Sequence, residues 1–520
     1  MPDTLTRAPL WPRSADGLPA AAAVGVPGGG EGAPIAVDDP ATRRIVGWCL
    51  PTPPEGIAAA VDVAAAGFRT WSALTPAERA AAIHRGADAI AERAEDLARS
   101  VTSEVGKPLS EARGDVGGGV QLLRSFADLA EEAAEIHDLT GRPGAGAADE
   151  VLLHRVPVGP MAVITPWNTP VYLALNCVAP ALAAGCSVVV KPAEAAPLSL
   201  TAALALLAAE LPAGAVTVVQ GTGAAVGAAL CRAPGIRGVS FVGGTVAGRE
   251  VMRAAADTVK KVSLELGGND PALVLEDAVL DDATLREIVA GCFSLAGQVC
   301  FDIKRIYVHR ARHDEFVDRF TRMVDRIVVG PGADERVHMG PLTTEAGHRN
   351  ALRLLQAARD AGAEVHEGGT FAPGVDPAGG RFVRPTVVSG ISPDHELVLT
   401  EQFAPIVPIV AVDDDAVAVR EANRTEYGLC SSVWSADPDH ARAVALGIEA
   451  GNTFVNAHRV GASVPLVPFG GVKQSGLGRN HLMHAIAECT EEHAVIRYTD
   501  PAAQIRGIDH WADLTSEDTP

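Results

Sequence analysis

The sequence lacks several features that would indicate a particular class of protein. Its eight cysteines form no Cys-x-x-Cys pair and no Cys/His cluster with zinc-ligand spacing, which argues against a disulfide framework and a structural metal site. No window approaches the roughly 18 consecutive apolar residues of a membrane span, and residues 1–32 show no charged-then-apolar signal pattern. We therefore expect a cytoplasmic protein with no metal site and no membrane contact.

Basic residues are also scarce. The chain carries 43 Lys and Arg against 64 Asp and Glu, for a net charge of −21, and the acidic residues are spread along it. Binding to nucleic acid or to an anionic membrane through a basic patch is therefore disfavoured. At 520 residues the chain exceeds a single average core, so two large domains, or one domain with insertions, are expected.

The apolar pattern along the chain predicts an α/β fold. Residues 55–99 and 108–136 have helical spacing, with a helix start at Thr75-Pro76-Ala77-Glu78, and a stretch rich in glycine and proline follows at 140–149. After a strand at 151–156, short apolar strands alternate with alanine-rich helices, which predicts a parallel sheet covered on both faces. The strands expected in this sheet cover residues 161–165, 187–190, 216–219, 238–242 and 261–265.

A second alternating region begins after Gly267. It is expected to contain, among other elements, a helix over 313–328 and a strand over 406–412. Parallel sheets of this kind bind ligands beyond the carboxyl ends of their strands, so side chains that follow the strands are the candidate functional residues.

Cys300 and Glu265 form a candidate nucleophile and base. Cys300 follows the polar amide Gln298, and Glu265 is framed by two leucines and a glycine pair. A thiol attacks only as the thiolate, with an ordinary pKa of about 8.5, so an attacking cysteine needs local help. A carboxylate held among apolar residues has a raised pKa and can move protons. For an isolated cysteine a buried structural role is commoner, and we assign the other seven cysteines to it.

Two glycine-rich turns are candidate phosphate sites. Gly221-Thr222-Gly223 and Gly243-Gly244-Thr245 each lie between a predicted strand and the start of a helix. There glycine lets the backbone approach a pyrophosphate, and the helix N-terminus favours its negative charge. Neither matches the six-position dinucleotide fingerprint, and glycine in such a place is more often only a turn. Lys191 and Glu194, just past a neighbouring strand, are groups that could hold ribose hydroxyls.

Asn168 is a candidate for oxyanion stabilisation. It follows a predicted strand within Thr165-Pro166-Trp167-Asn168. Its side-chain amide could join the backbone N–H of Cys300 in holding a developing negative charge. An asparagine in this position more often caps a helix or a turn, so the assignment depends on the nearby presence of Cys300 and Glu265.

Taken together, these residues resemble the NAD(P)-dependent aldehyde dehydrogenases. The resemblance extends over about residues 40–498 and is carried by separate motifs that follow the family's order. They are Gly106-Lys107-Pro108-Leu109, Pro166-Trp167-Asn168, Lys191-Pro192-Ala193-Glu194, Phe241-Val242-Gly243-Gly244-Thr245, Leu264-Glu265-Leu266-Gly267-Gly268, Gly297-Gln298-Val299-Cys300, Glu401-Gln402-Phe403-Ala404-Pro405 and Pro468-Phe469-Gly470-Gly471-Val472-Lys473-Gln474-Ser475-Gly476.

The resemblance implies oxidation of an aldehyde through covalent attachment to Cys300. Asn168 and the Cys300 N–H would hold the oxyanion, hydride would leave to the nicotinamide, and Glu265 would activate water to hydrolyse the thioester. Covalent capture splits one hard step into two easier ones, which agrees with the groups found. The cofactor contacts implied by the resemblance come from Thr165, Trp167, Lys191, Glu194, Gly223, Gly243, Gly244, Leu266, Glu401 and Phe403.

Glu194 bears on the choice of cofactor. A carboxylate there repels a 2′-phosphate and accepts hydrogen bonds from free hydroxyls, so NAD is favoured over NADP. Some members of the family with a glutamate at this position accept both NAD and NADP, so NADP remains a possible second cofactor.

The substrate wall implied by the resemblance mixes apolar and polar groups without a basic cluster. It comprises Thr169, Leu173, Asn176, Val299, Phe301, His458 and Phe469. Phosphorylated and dicarboxylic semialdehydes call for Arg or Lys partners, so an apolar or aromatic aldehyde, with or without hydroxyls, is expected. Four positions depart from the family pattern: Gly244 replaces a serine, Ala404 a glycine, Thr169 a bulky aromatic residue and Asn480 a glutamate of a proton relay.

The resemblance also implies a domain plan. A Rossmann-like parallel-sheet cofactor domain (35–138 and 158–266) is expected beside a second α/β catalytic domain (267–477). A small β bridging or oligomerisation arm would come from 139–157 and 478–500, making the protein a homodimer or homotetramer because an unpaired edge strand is a liability. Residues 1–34 are expected to form a mobile extension and 501–520 a C-terminal tail.

Two alternatives remain open at the level of sequence. A CoA-acylating relative would pass the acyl group to CoA instead of water, but such relatives typically lack the glutamate seen here as Glu265. A catalytically silent structural or binding protein on the same fold is the other alternative, and the presence of thiol, base and amide together argues against it.

Overall fold

The computed structural model describes residues 20–21, 33–146 and 148–499. Most of the predicted N-terminal extension, and the whole predicted tail at 501–520, lie outside the described residues. The N-terminal helices begin as the sequence predicts. At Thr75 the side chain accepts from the Glu78 N–H at 3.2 Å while the Glu78 carboxylate accepts from the Thr75 N–H at 2.8 Å, a capping box that fixes the start of helix Pro76–Glu92.

The α-helices occupy most of the chain between the strands. Their bounds are Pro54–Ser72, Pro76–Glu92, Ala94–Val105, Leu109–Asp128, Ala130–Ala133, Pro170–Ala184, Leu198–Ala209, Ala228–Arg232, Thr245–Ala256, Asp282–Phe293, Arg310–Val324, Glu345–Asp360, Glu396–Leu399, Asp415–Ala422, Pro438–Ala445 and Leu482–Glu488. Short 3₁₀ or π turns cover Gly223–Gly227, Ser294–Gly297, Pro377–Gly379 and Lys473–Ser475.

The first sheet has six strands, and its five main strands run parallel. Their order is Gly476–Leu477, Lys261–Glu265, Gly238–Val242, Met161–Ile164, Val188–Lys191 and Val216–Val218, with only the first strand antiparallel. This confirms the predicted parallel sheet. The strand order reverses between Met161–Ile164 and Gly238–Val242, which is the place where such sheets bind ligands.

Helices cover both faces of this sheet because successive side chains of its strands point to opposite faces and are apolar on both. Val163, Val188 and Val190 pack in a core with helices Pro76–Glu92 and Pro170–Ala184. Ala162, Val189 and Phe241 belong to a second core that includes side chains of Pro54–Ser72 and Thr245–Ala256. A strand with both faces buried reads as a continuous apolar run, as these do.

The second sheet has seven strands and its own core. Their order is Glu364–Glu367, Thr386–Ser389, Ile406–Val412, Ile303–His309, Asp270–Val274, Cys430–Trp434 and Asn452–Val455, and only the first is antiparallel. The prediction of a helix through residue 328 is wrong at its end. The helix stops at Val324, since Val328–Val329 pairs with strand Thr370–Phe371.

Two small three-stranded sheets complete the described structure. In one, Glu150–Pro157 pairs antiparallel along its whole length with Thr490–Arg497, and His137–Asp138 lies on its other side. In the other, Ile45–Cys49 pairs with Ile35–Asp38 and Ala20–Ala21. No helix in the described part of the chain combines the length and the apolarity needed to cross a bilayer.

Candidate active site

One cavity of about 210 Å³ opens at the carboxyl edge of the first sheet. It brings together the predicted nucleophile, base and amide with several predicted cofactor residues and one residue of the predicted substrate wall. The residues lining it are Pro166, Trp167, Asn168, Leu173, Val242, Gly243, Gly244, Glu265, Leu266, Gly267, Cys300, Glu401 and Phe403.

Cys300 differs from the other cysteines in its exposure. It is partly exposed, whereas the seven others are buried, as expected for structural cysteines. Burial raises the pKa of the Cys300 thiol, and the carboxylates of Glu265 and Glu401 raise that pKa further. Lys304 acts in the opposite direction. The thiol therefore lies in an acidic environment and needs nearby positive charge to ionise.

A left-handed turn precedes the thiol. Leu295, Ala296 and Gly297 have φ values of 50°, 56° and 71°, which side chains of Leu and Ala rarely adopt. The turn is held at both ends: the Glu111 carboxylate accepts from the Leu295 N–H at 3.0 Å, and the Lys304 ammonium donates to the Gly297 carbonyl at 2.7 Å. Strained backbone of this kind persists only where the surroundings fix it, and it is common at active sites.

Asn168 contacts the same loop. Its side-chain amide donates to the carbonyl oxygen of Gln298 at 2.8 Å, and an amide nitrogen has a second hydrogen for a ligand in the cavity. Its backbone carbonyl accepts from Lys107, which also binds Asp115 at 2.7 Å in an ion pair with almost no solvent exposure. Lys107 belongs to the motif Gly106-Lys107-Pro108-Leu109, but nothing in that motif predicts its contact with Asn168.

Glu265 ends strand Lys261–Glu265 and is 7 % exposed. Neither of its carboxylate oxygens has a hydrogen-bond partner in the described structure. Burial raises its pKa well above the ordinary carboxyl value, and the nearby Arg479 opposes that rise. A buried carboxylate with free oxygens and a raised pKa can accept a proton from a water molecule in the cavity.

Glu401 and two aromatic rings form another part of the cavity. Glu401 accepts from the Gly268 N–H at 3.2 Å, and burial raises its pKa to about 7. A Cβ on Gly267 would come within 2.4 Å of the Glu401 carboxylate, so only glycine fits there without a shift. The rings of Trp167 and Phe403 meet edge to face at 5.6 Å.

The remaining predicted cofactor residues surround the switch point of the sheet. Gly244 caps helix Thr245–Ala256, and a Cβ there would meet nothing within 4 Å. Lys191 binds Glu194 at 3.2 Å, with the Glu194 side chain 40 % exposed. Gly223 is exposed at the start of a helical turn, and the Thr165 hydroxyl is buried without a partner. An open helix N-terminus, a free hydroxyl and an exposed carboxylate fit a dinucleotide.

The predicted substrate wall is only partly at the cavity. Leu173 lines it, Val299 is buried beside Cys300, and the half-buried rings of Phe301 and Phe469 meet at 5.7 Å. Thr169 is the residue before helix Pro170–Ala184, and Asn176 is buried inside that helix with its side-chain oxygen unpartnered.

His458 does not line the cavity. It is fully buried, and its ring nitrogens bind the Ser432 hydroxyl at 2.9 Å and the Phe301 carbonyl at 2.8 Å. Within the described chain, no Arg, Lys or His lines the cavity, and no cluster of three or more His, Cys, Asp or Glu is placed to hold a metal ion.

Similarity to known proteins agrees with this site. The model of the aldehyde dehydrogenase family matches residues 28–495. The chain is 35 % identical to the NADP⁺ succinate-semialdehyde dehydrogenase of Escherichia coli K12, covering 90 % of this chain and 94 % of the relative. It is 38 % identical to the phenylacetaldehyde dehydrogenase of Pseudomonas fluorescens, covering 85 % and 88 %.

Solved structures give the same result. Betaine aldehyde dehydrogenase from Staphylococcus aureus, in complex with NAD⁺, superposes with a TM-score of 0.85 at 29 % identity over 94 % of both chains. HpcC from Thermus thermophilus superposes with a TM-score of 0.88 at 32 % identity, covering 93 % and 94 %. The predicted α/β fold and the predicted resemblance are thereby confirmed.

Proposed function

Since the chain belongs to the aldehyde dehydrogenase family, we propose that Cys300, Glu265 and Asn168 carry out its reaction. The protein oxidises an aldehyde to the carboxylic acid with NAD(P) as cofactor. What supports the assignment is that all three side chains line one cavity, although they belong to different segments: Asn168 follows strand Met161–Ile164, Glu265 ends strand Lys261–Glu265, and Cys300 precedes strand Ile303–His309.

In the proposed mechanism the thiolate of Cys300 attacks the aldehyde carbon, and the carbonyl oxygen becomes an oxyanion. The Asn168 amide and the Cys300 N–H donate to that oxygen. The cofactor, when bound, accepts the hydride from the former aldehyde carbon. Cys300 then carries the acyl group as a thioester, and Glu265 takes a proton from the water that attacks it. The acid leaves and the thiolate is restored.

The dinucleotide would be held by residues on both sides of the switch point. Gly244, at the N-terminus of helix Thr245–Ala256, offers its backbone N–H for the pyrophosphate, while the Gly243 N–H donates to the Glu265 carbonyl at 3.0 Å and holds this turn in place. We propose that Glu401 binds the nicotinamide ribose and that Lys191 and Glu194 bind the adenosine ribose. The exposed Glu194 carboxylate favours the free hydroxyls of NAD over the phosphate of NADP.

We propose an apolar or aromatic aldehyde as the substrate. The observation that carries this proposal is the absence of Arg, Lys and His among the described residues that line the cavity, because a substrate carboxylate or phosphate needs a cationic partner when it is desolvated. Relatives named for phenylacetaldehyde and for succinate semialdehyde are about equally similar to this chain, so overall similarity does not decide the point.

A panel of aldehydes followed by NADH absorbance tests the substrate. Phenylacetaldehyde, benzaldehyde and hexanal would be compared with succinic semialdehyde at equal concentrations. We expect kcat/KM for the best apolar aldehyde to exceed that for succinic semialdehyde by at least about tenfold. A preference for succinic semialdehyde would overturn the proposal, and a requirement for added CoA would favour the acyl-transferring alternative over hydrolysis.

Domain plan, assembly and location are also proposals. The two large sheets, with separate cores, would be the cofactor domain and the catalytic domain.

Strand Thr490–Arg497 is an edge strand with mostly exposed side chains, which supports its proposed role as part of the arm that joins subunits in a homodimer or homotetramer. A cytoplasmic location is supported by eight cysteines that form no disulfide.

A further inference from the structure

Lys304 is a buried cation without a carboxylate partner in the described structure. It lies on strand Ile303–His309 and is 1 % exposed. Its ammonium donates to the Gly297 carbonyl at 2.7 Å and lies 5.2 Å from the centre of the Phe403 ring. A neutral carbonyl and an aromatic face compensate poorly for burying a full charge, so this lysine must gain its stability from more distant negative charge.

That negative charge surrounds the nucleophile. Three carboxylates raise the pKa of the Cys300 thiol: Glu265, Glu401 and Asp270. The buried Cys430 thiol lies beside them. Asp302, two residues after the thiol, is buried, and neither of its carboxylate oxygens has a hydrogen-bond partner. The charge of Lys304 lowers the pKa of this carboxyl group. Lys304 is the cation whose charge lowers the pKa of the Cys300 thiol, and Arg479 is the cation that lowers the pKa of Glu265. The Glu111 carboxylate adds to the negative charge by raising the pKa of Asp302.

Lys304 also contacts two parts of the site directly. Its hydrogen bond closes the left-handed turn that ends at Gly297, and that turn leads into Cys300. Phe403, on whose ring the ammonium lies, lines the cavity with Cys300 and Glu401. The same side chain therefore fixes the nucleophile loop and places positive charge beneath the cavity.

We propose that Lys304 is a positioning residue whose ammonium holds the nucleophile loop and stabilises negative charge on the Cys300 sulfur. This inference rests on the proposed role of Cys300. An attacking cysteine requires nearby positive charge, and we assign that charge to Lys304. In the proposed mechanism Lys304 neither donates to the substrate nor takes a proton.

The test measures the thiolate directly. The rate of carbamidomethylation of Cys300 by iodoacetamide would be followed from pH 6 to the highest pH at which the protein stays folded, without cofactor, with peptide mapping to identify the labelled cysteine. In Lys304→Gln the pH of half-maximal rate should rise by about one unit, and the rate at pH 8 should fall about tenfold. Lys304→Arg should restore the wild-type midpoint.

Lys260→Gln is the matched control. Lys260 also donates to backbone carbonyls, those of Ala233 and Ile236 at 2.8 and 2.7 Å, but it is not among the groups that act on Cys300. In Lys260→Gln the pH of half-maximal labelling of Cys300 should equal that of the wild type. Circular dichroism would show which variants fold, and Lys304→Met provides a second uncharged side chain if the glutamine variant does not.

An unchanged midpoint in either folded uncharged variant would overturn the proposal. If neither uncharged variant folds, the Lys304→Arg variant decides. A pH of half-maximal labelling within about 0.3 pH unit of the wild type supports the role of charge, and a rise of about one pH unit contradicts it. Cys300→Ser separates the two hypotheses. Retained turnover in that variant would refute the proposed function itself, whereas an inactive Cys300→Ser with an unmoved Lys304 midpoint would refute only the role of Lys304.

Discussion

The side-chain amide of Asn168 donates to the carbonyl oxygen of Gln298 at 2.8 Å. Asn168 follows a strand of the six-stranded sheet, and Gln298 precedes a strand of the seven-stranded sheet. The bond therefore fixes the position of the proposed oxyanion donor relative to the nucleophile loop. The Gln298 side chain extends the connection, since it donates to Leu295 at 2.9 Å and accepts from the Thr343 N–H at 3.0 Å.

Asn168→Asp should reduce turnover without unfolding the protein. The carboxylate has the same shape as the amide but cannot donate, and it repels both the oxyanion and the Gln298 carbonyl. We expect kcat to fall by about 10²- to 10³-fold in steady-state assays. Asn423→Asp is the control, because Asn423 makes a similar bond to the Gly447 carbonyl at 2.8 Å, away from the cavity. A fall of less than tenfold in Asn168→Asp would contradict the oxyanion role.

Hydrolysis of the thioester should accelerate as pH rises through a raised pKa of Glu265. The base works when deprotonated, and burial places its pKa well above the ordinary carboxyl range, so the rate should be low at acidic pH and rise toward alkaline pH. Arg479→Gln removes the cation that lowers this pKa and should shift the inflection to higher pH. Pre-steady-state measurements over a pH series would detect both effects.

The companion variant Glu265→Gln should lack the inflection. It should release one NADH per subunit in a burst and then stall, with the acyl group visible on Cys300 by intact mass. An inflection that persists in Glu265→Gln, or one that moves to lower pH in Arg479→Gln, would assign the base to another residue.

Gly267→Ala should weaken cofactor binding. The new Cβ would lie 2.4 Å from a carboxylate oxygen of Glu401, so Glu401 must move from the position in which we propose it binds ribose. We expect KM for NAD to rise about tenfold, equivalent to roughly 1.4 kcal/mol, while labelling of Cys300 without cofactor changes little. Gly117→Ala is the control: its Cβ meets nothing within 4 Å on an exposed helix face, and it should raise stability by about 0.5–1 kcal/mol.

Glu194→Gln should improve the use of NADP. Removing the exposed carboxylate removes its repulsion of the 2′-phosphate, and the neighbouring Lys191 ammonium, now unpaired, can attract that phosphate. The ratio of kcat/KM for NADP to that for NAD should rise about tenfold or more. Glu210→Gln, an exposed partner of Arg85 elsewhere on the surface, should leave the ratio unchanged. An unchanged ratio in Glu194→Gln would remove Glu194 from cofactor selection.

Much of the fold follows from local pattern. Strands Gly238–Val242 and Ile406–Val412 have the predicted bounds because each is a short, mostly apolar and buried run ended by a turn or a charged residue. Lys261–Glu265 has the predicted bounds because Val262 and Leu264 alternate with polar residues. The side chains of the proposed reaction could also be identified from sequence, since each immediately follows or ends a strand, or lies in a motif of the resemblance.

What the sequence did not indicate depends on distant contacts. Leu295 and Ala296 favour ordinary backbone conformations, so nothing local predicts their left-handed turn, which requires Glu111 and Lys304 from other parts of the fold. Strands Ile35–Asp38 and Ile45–Cys49 were not predicted either, because each is short and its pairing with the other is not visible in the local pattern. His458 does not line the cavity, because its buried ring binds Ser432 and the Phe301 carbonyl.

Two sheets are completed by strands near the end of the described chain. Gly476–Leu477 pairs with Lys261–Glu265, and Thr490–Arg497 pairs with Glu150–Pro157. During synthesis both of these partners emerge after the strands they pair with, so a nascent chain exposes two open strand edges until Arg497 has emerged. Such edges invite pairing with other chains. The order of translation therefore sets a period in which these two edges can pair with other chains, and that period ends only when both sheets are complete.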